Sequence, residues 1–197
     1  MQYIGTKKSC HMDEKVRCGW CLKDDLYKKY HDEVWGEPVF DEKTLFAFLN
    51  LEGAQAGLSW YTILKKEEGY RKAFLNWDIK KISKMGEKDI LRLKGNPEIV
   101  RNTLKIKAVI TNAQAYLKLK KTTTLSDYLW AYVDGQPIVN NWKSLDQIPA
   151  ETPLSKEISK DLKKKGFKFV GPTIVYAYMQ AVGMVNDHLI TCWKRQA

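Results

Sequence analysis

Glu52 follows Phe48 by four residues and Leu45 by seven, so on a helix it projects from the face that carries the apolar stripe. A carboxylate there is costly unless it finds a partner or water. Two readings stand side by side. Either the helix frays at Gly53 and Glu52 reaches solvent, or the small residues Gly53-Ala54-Gln55-Ala56-Gly57 let a ligand approach it in a pocket. Trp20, Tyr27, Tyr30, Trp35, Trp60 and Tyr61 lie in the same third of the chain. Aromatic faces stack nucleobases, worth roughly 1–3 kcal/mol per base. A slot of rings ending in a carboxylate suits a purine, whose exocyclic amine donates where the carboxylate accepts. Ordinary core packing is the expectation for most of these rings.

Cysteine and histidine form a second constellation. Cys18-x-x-Cys21 has a metal-ligand interval, although the intervening Gly19-Trp20 also fits a redox pair. His188 and Cys192 are four apart, the spacing of one helix face. On spacing alone the set is Cys18, Cys21, His188 and Cys192. Mixed thiolate and imidazole ligands suit zinc, and four protein ligands make a structural site that ties the two ends of the chain together.

Basic residues supply the third signal. Lysine and arginine total 33 against 23 aspartate and glutamate, a net charge of +10. A tryptophan-rich folded body with that excess points toward a polyanion, nucleic acid first. The run Lys160 to Lys168 is the densest. Lys163, Lys164 and Lys165 fit the last turn of a helix, where cations complement the macrodipole. Alternatively, the run with Gly166 and nearby amides holds phosphates, with Lys165 and Lys168 as contacts.

Helices must position these groups. Asp41 caps a segment through Leu45, Phe48 and Leu49 to Gly53, and Ser59 starts another toward Phe74. Asp78 and Gly86 punctuate short helices. Asn96-Pro97 reads as a cap with proline in the first turn. Ile106–Leu119 is a long amphipathic run, Thr124 introduces Leu125 and Leu129, and Thr152–Lys165 is a basic helix closed by Gly166. The uncharged stretch Phe169–Val185 carries Gly171, Pro172, Tyr176, Tyr178, Gln180 and Gly183, which favours a buried core helix over a membrane span. No sustained period-two alternation occurs, so the fold class is all-α. Hydrophobic residues make up 44% of the 197 and charged residues 28%, which excludes disordered and collagen-like classes. Residues 1–13 read as a polar lead-in and 14–197 as a single domain. Four cysteines and no recognisable leader argue for a reducing compartment, so a cytoplasmic location is expected.

Several stretches together resemble the DNA-3-methyladenine glycosylase I (TAG) family: Arg17-Cys18-Gly19-Trp20, Tyr30-His31-Asp32, Trp35-Gly36, Leu51 to Trp60, Lys164 to Gly171, and Asn186-Asp187-His188. The match runs from Val16 to Cys192. It implies a helix-hairpin-helix glycosylase fold with a structural zinc on Cys18, His31, His188 and Cys192, replacing Cys21 by His31. It implies that Glu52 meets the N6 and N7 edge of a flipped adenine, as recognition residue and electrostatic catalyst. Tyr30 and Trp60 would stack on that base and Trp20 would line the pocket, with cation–π attraction favouring a methylated, cationic purine. Gly57 and Leu58 would approach the vacated stack. The hairpin should fall within Leu93–Lys107, where Lys94-Gly95-Asn96-Pro97 departs from the glycine-rich form of the wider superfamily. Many superfamily relatives carry an aspartate after the hairpin; between Asp89 and Asp127 this chain has none, as the resemblance predicts for a base that is already a good leaving group.

The implied activity is hydrolytic excision of 3-methyladenine from alkylated double-stranded DNA, with free 3-methyladenine as product ligand, no membrane partner and a monomeric enzyme. Two rivals remain. One is a non-catalytic, zinc-stabilised helical DNA-binding module. The other is a zinc hydrolase, in which water would take a fourth metal position.

Overall fold

The computed structural model describes residues 15–195; the lead-in 1–13 lies outside them. Ten α-helices account for most of the described chain. The first five are α1 (Asp25–Glu33), α2 (Glu42–Gln55), α3 (Trp60–Leu64), α4 (Glu67–Ala73) and α5 (Ile79–Ile82). The second five are α6 (Glu87–Lys94), α7 (Thr103–Leu119), α8 (Leu125–Trp130), α9 (Pro153–Lys164) and α10 (Pro172–Ala181). Side-chain caps start many of them: Asp41 accepts from the Thr44 amide, Ser59 from Thr62, Asp78 from Lys81, Asn102 from Leu104 and Lys105, and Thr124 from Asp127.

The centre of the molecule is α2. Every residue from Leu45 to Ala54 is buried, with α10, α3, α7 and α8 packed around it. A helix enclosed on all sides has no solvent face, so Asn50 and Glu52 must be explained inside the protein. Asn50 Nδ2 donates to the Phe46 carbonyl at 2.8 Å while its Oδ1 accepts from Asn112 Nδ2 at 2.9 Å. At Gly53 an added Cβ would lie 3.0 Å from the Phe169 Cβ, so the small residue admits the segment before α10.

Three expectations are corrected. α2 does not end at Gly53 but runs to Gln55, which removes fraying as an outlet for Glu52. The helix opened by Ser59 breaks at Lys65–Lys66, where the Lys66 amide bonds back three residues to Ile63 at 2.8 Å. Asn96-Pro97 opens no helix. The turn after α6 is pinned to α4 instead: Lys66 Nζ donates to the Pro97 carbonyl at 2.7 Å, the Val100 amide to the Tyr70 hydroxyl at 3.2 Å, and α7 starts after Asn102. Beside the helices, one parallel bridge joins β1 (Ile138–Val139) to β2 (Val185–Asn186); two residues a side are too few to show a period. The fold is nonetheless mostly helical, and Pro172 opens the buried α10 as expected. Among the described residues no helix is long and apolar enough to cross a membrane.

Candidate active site and metal centre

Glu52 faces a cavity of about 320 Å³ whose lining includes Trp20, Tyr27, Tyr30, Trp35 and Trp60. The ring centroids of Tyr30 and Trp60 are 5.3 Å apart. Phe48 backs Trp60 in a near-parallel stack at 6.5 Å, and Trp20 meets Tyr27, Tyr30 and Trp35 edge-on at 4.9, 6.3 and 5.0 Å. Five of the six rings singled out therefore converge. Tyr61 does not: its hydroxyl donates to the Asp24 carboxylate, and Lys23 and Lys65 lie over its ring.

Glu52 is 3% exposed. Burial pushes its carboxyl up to about 8, since a desolvated carboxylate loses its hydration without a cation to replace it. Its Oε2 and the indole Nε1 of Trp60 are both buried with no hydrogen-bond partner among the described residues. Each such orphan costs on the order of 1–3 kcal/mol. An acceptor and a donor left unpaired beside one aromatic cavity mark the place of a polar, planar ligand. Burial, followed by the field of Glu52, also keeps the Tyr30 hydroxyl protonated, well above its ordinary value.

A second cavity of about 180 Å³ adjoins the first through Glu52, Gln55 and Ala177 and is lined by Ala56, Gly57 and Leu58. Gly57 adopts a left-handed conformation (φ 76°) and Leu58 is 41% exposed, so the linker presents an apolar side chain beside the opening. Lys165 and Lys168 line neither cavity. Lys165 pairs with Asp161 at 3.7 Å and lies over the Tyr128 ring. The amides of Gly166, Phe167 and Lys168 are spent on Lys163, Leu162 and the Asn112 side chain. The expected cradle of free amides for phosphate is therefore not formed there.

Sequence reasoning missed the rest of the lining: Leu145, Ile148, Ala177 and Gln180. Gln180 is held by Asp187, a fully buried carboxylate that also accepts from Asn140, Trp142 and Tyr176 at 2.6–2.7 Å. The available signal was Gln180 itself, a polar residue inside an apolar run.

On the far side of Trp20 and Trp35, ligand atoms of Cys18, His31, His188 and Cys192 all lie within 4.8 Å of one another, and all four residues are buried. Sulfur–nitrogen separations are 3.8 Å for Cys18–His188, 3.4 Å for Cys192–His31 and 3.6 Å for Cys192–His188. Ligands at tetrahedral zinc distances would stand roughly 3.5 Å apart, so the donor set fits that ion. The remaining imidazole nitrogens are oriented: His31 Nδ1 against Asp32 Oδ1 at 2.8 Å, His188 Nε2 against the Trp35 carbonyl at 3.1 Å. Asp32 is in turn gripped by Arg17 at 2.8–3.0 Å. Burial raises its pKa, but the Arg17 and His31 hydrogen bonds outweigh that and hold it at about 2. Gly36 (φ 82°) leaves room beside the cluster, for a Cβ there would sit 3.0 Å from His188 Nε2.

The spacing-only set is corrected. Cys21 is not among the convergent ligands; its thiol donates to the Cys18 carbonyl at 3.1 Å, and burial pushes it up to about 11. His188 and Cys192 do not share a helix, because the chain after β2 is irregular there. His31, on α1, completes the set. Four convergent protein donors would fill the positions of a tetrahedral ion, the arrangement of a structural site rather than of a zinc hydrolase, which keeps one position for water.

Residues 20–195 match the family model described as methyladenine glycosylase. The chain belongs to the methyladenine glycosylase family. It is 49% identical to DNA-3-methyladenine glycosylase 1 of Escherichia coli (strain K12) over 89% of this chain and 95% of the relative. A crystal structure of 3-methyladenine DNA glycosylase I (TAG) superposes with a TM-score of 0.89 at 49% identity, covering 90% of this chain and 98% of the other. The Staphylococcus aureus TAG structure, whose subject is 3-methyladenine recognition, gives 0.88 at 40% identity, covering 91% and 96%. Glu52 and the rings of its cavity fall within the residues matched to the family.

Proposed function

We propose that this methyladenine glycosylase hydrolyses the N-glycosidic bond of 3-methyladenine in alkylated DNA, and that Glu52, Tyr30, Trp60 and Trp20 form its base pocket. The carrying observation is the pair of unpaired buried atoms, Glu52 Oε2 and Trp60 Nε1, beside a ring-lined cavity. A base in a duplex cannot enter such a cavity, so the nucleotide is extruded, and Leu58 beside the opening is placed to fill the gap it leaves. The helix–turn–helix of α6 and α7 is the element we assign to the duplex backbone.

N3-methylation gives the base a positive charge. Beneath that charge the Glu52 carboxyl ionises, since a nearby cation favours the carboxylate, and accepts from the exocyclic amine. Electron-rich rings add cation–π attraction of roughly 0.5–2 kcal/mol. Neutral adenine offers neither gain, which is the physical basis of selection. When the C1′–N9 bond breaks, its electron pair neutralises the departing base and positive charge develops on the sugar. The fixed carboxylate stabilises that charge, water adds to C1′, and its proton leaves through the open mouth. Cys18, His31, His188 and Cys192 would hold a structural zinc, whose contribution when bound is cross-linking.

Calorimetry with free 3-methyladenine tests the pocket. Wild type should bind one equivalent, and Trp60→Ala should weaken the affinity by about 10-fold or more, the scale of one stacking contact. Unchanged affinity in that variant would remove Trp60 from the site.

A further inference from the structure

The last turn of α2 carries Glu52 and ends in carbonyls that no helical amide reaches. Two are satisfied locally: the Ala56 amide donates to Gly53 at 3.4 Å and the Leu58 amide to Gln55 at 2.6 Å. Two others, on Ala54 in the last turn and on the C-cap Ala56, are reached by one side chain from another helix. Lys105 Nζ lies 2.7 Å from the Ala54 oxygen and 2.6 Å from the Ala56 oxygen.

Lys105 is an unusual residue for that place. It sits in the first turn of α7, which contains no acidic residue, where a cation opposes the macrodipole. Among the described residues it belongs to no ion pair, and desolvation holds its ammonium below the ordinary lysine value. Lys107, two residues on, behaves as a surface lysine should and pairs with Glu87 at 3.1 Å. The stem of Lys105 crosses instead to the C-terminal end of α2, where a cation is favoured. The carbonyls it grips bracket Gln55, which lines both cavities, and the second of them begins the linker through Gly57 and Leu58 to Ser59, the cap of the helix that starts at Trp60.

We infer that Lys105 is a positioning residue of the excision site, its ammonium clamping the end of α2 and the 56–59 linker to the second helix of the α6–α7 pair. Through that clamp the element proposed to meet the duplex is tied to the carboxylate, to the ring that stacks the base and to the side chain that fills the vacated stack. The inference rests on the base-pocket reading above. Lys105 itself lines neither cavity, although the Ala56 it grips lines the second; it acts by holding Glu52 and Trp60 at their separation, and misplacement by about 1 Å can cost on the order of 100-fold in rate.

Lys105→Met keeps the stem and removes the clamp; Lys81→Met removes an equal charge from α5, outside the α6–α7 pair, where Lys81 pairs with Asp78 at 3.3 Å on the surface. Single-turnover excision from methylated duplex and calorimetry with free 3-methyladenine are measured on both. Lys105→Met should bind a full equivalent of base, with affinity weaker by about 10-fold and an excision rate lower by about 10- to 100-fold; Lys81→Met should stay within about twofold of wild type. A Lys105→Met protein whose rate and affinity stay within about twofold of wild type overturns the inference. So does one with reduced stoichiometry but wild-type affinity, because a merely structural lysine changes the folded fraction and not the site. Should Lys105→Met fail to fold, Lys105→Gln, with a neutral donor on a shorter stem, is measured by the same criteria. A wild-type protein that neither binds nor excises the base overturns the underlying pocket reading, and the clamp's role with it.

Discussion

Glu52 is held in a state that weakens the fold. Its carboxyl titrates at about 8 in the folded protein and near the ordinary glutamate value, about 4.3, when unfolded. Between those values the folded state retains a proton that the unfolded state has released. Stability therefore falls as pH rises from about 4.5 to about 8. Glutamine has no proton to retain. Glu52→Gln should thus be more stable than wild type, by a margin that grows across that window to a few kcal/mol, while losing most excision activity. Melting curves at pH 5 and pH 8 check it; a margin independent of pH would mean that the carboxyl is not desolvated. A carboxylate on an apolar stripe was legible in the sequence as an anomaly. That it is buried was not, because only the helices around α2 and the aromatic cavity decide whether a helix end meets water.

At the scale of elements, local signals located most helices but lost to tertiary contacts where two segments compete for one space. Asn96-Pro97 has the chemistry of a helix start, yet the turn it belongs to is spent on α4. The Glu98 carbonyl lies against Gly69, where a Cβ would come within 2.4 Å of it. Gly69→Ala consequently sets two effects against each other. Alanine gains about 1 kcal/mol of helix propensity, and the clash with backbone costs about 1–3 kcal/mol of displacement. The clash should win, lowering stability by about 1–2 kcal/mol in denaturant titration, and net stabilisation would show that the turn is free to move away. The wall made by Leu145, Ile148 and Gln180 was illegible for a related reason: its residues come from a 3₁₀ turn and from α10, and Asp187 joins them only once the chain is folded.

Across the whole molecule, the Cys/His cluster joins the chain before α1, α1 itself and the segment after β2. A zinc held there, as proposed, would close a long loop and couple ion affinity to folding. Chelation should lower the melting temperature of the whole domain, and Cys192→Ser should lose zinc and stability together. Cys21→Ser should keep a full equivalent of metal by elemental analysis, since its thiol only bonds to a carbonyl; loss of zinc from Cys21→Ser would return that residue to the ligand set. Spacing alone favoured Cys21 because sequence proximity to Cys18 is visible, whereas the approach of His31 depends on how α1 packs beside the terminal segment.

Chromatography of the purines released from methylated duplex DNA tests the central claim most directly. Wild type should free 3-methyladenine while 7-methylguanine stays in the strand, and Glu52→Ala, correctly folded, should free neither. Release of no purine by folded, zinc-loaded protein, or undiminished release by Glu52→Ala, would contradict it.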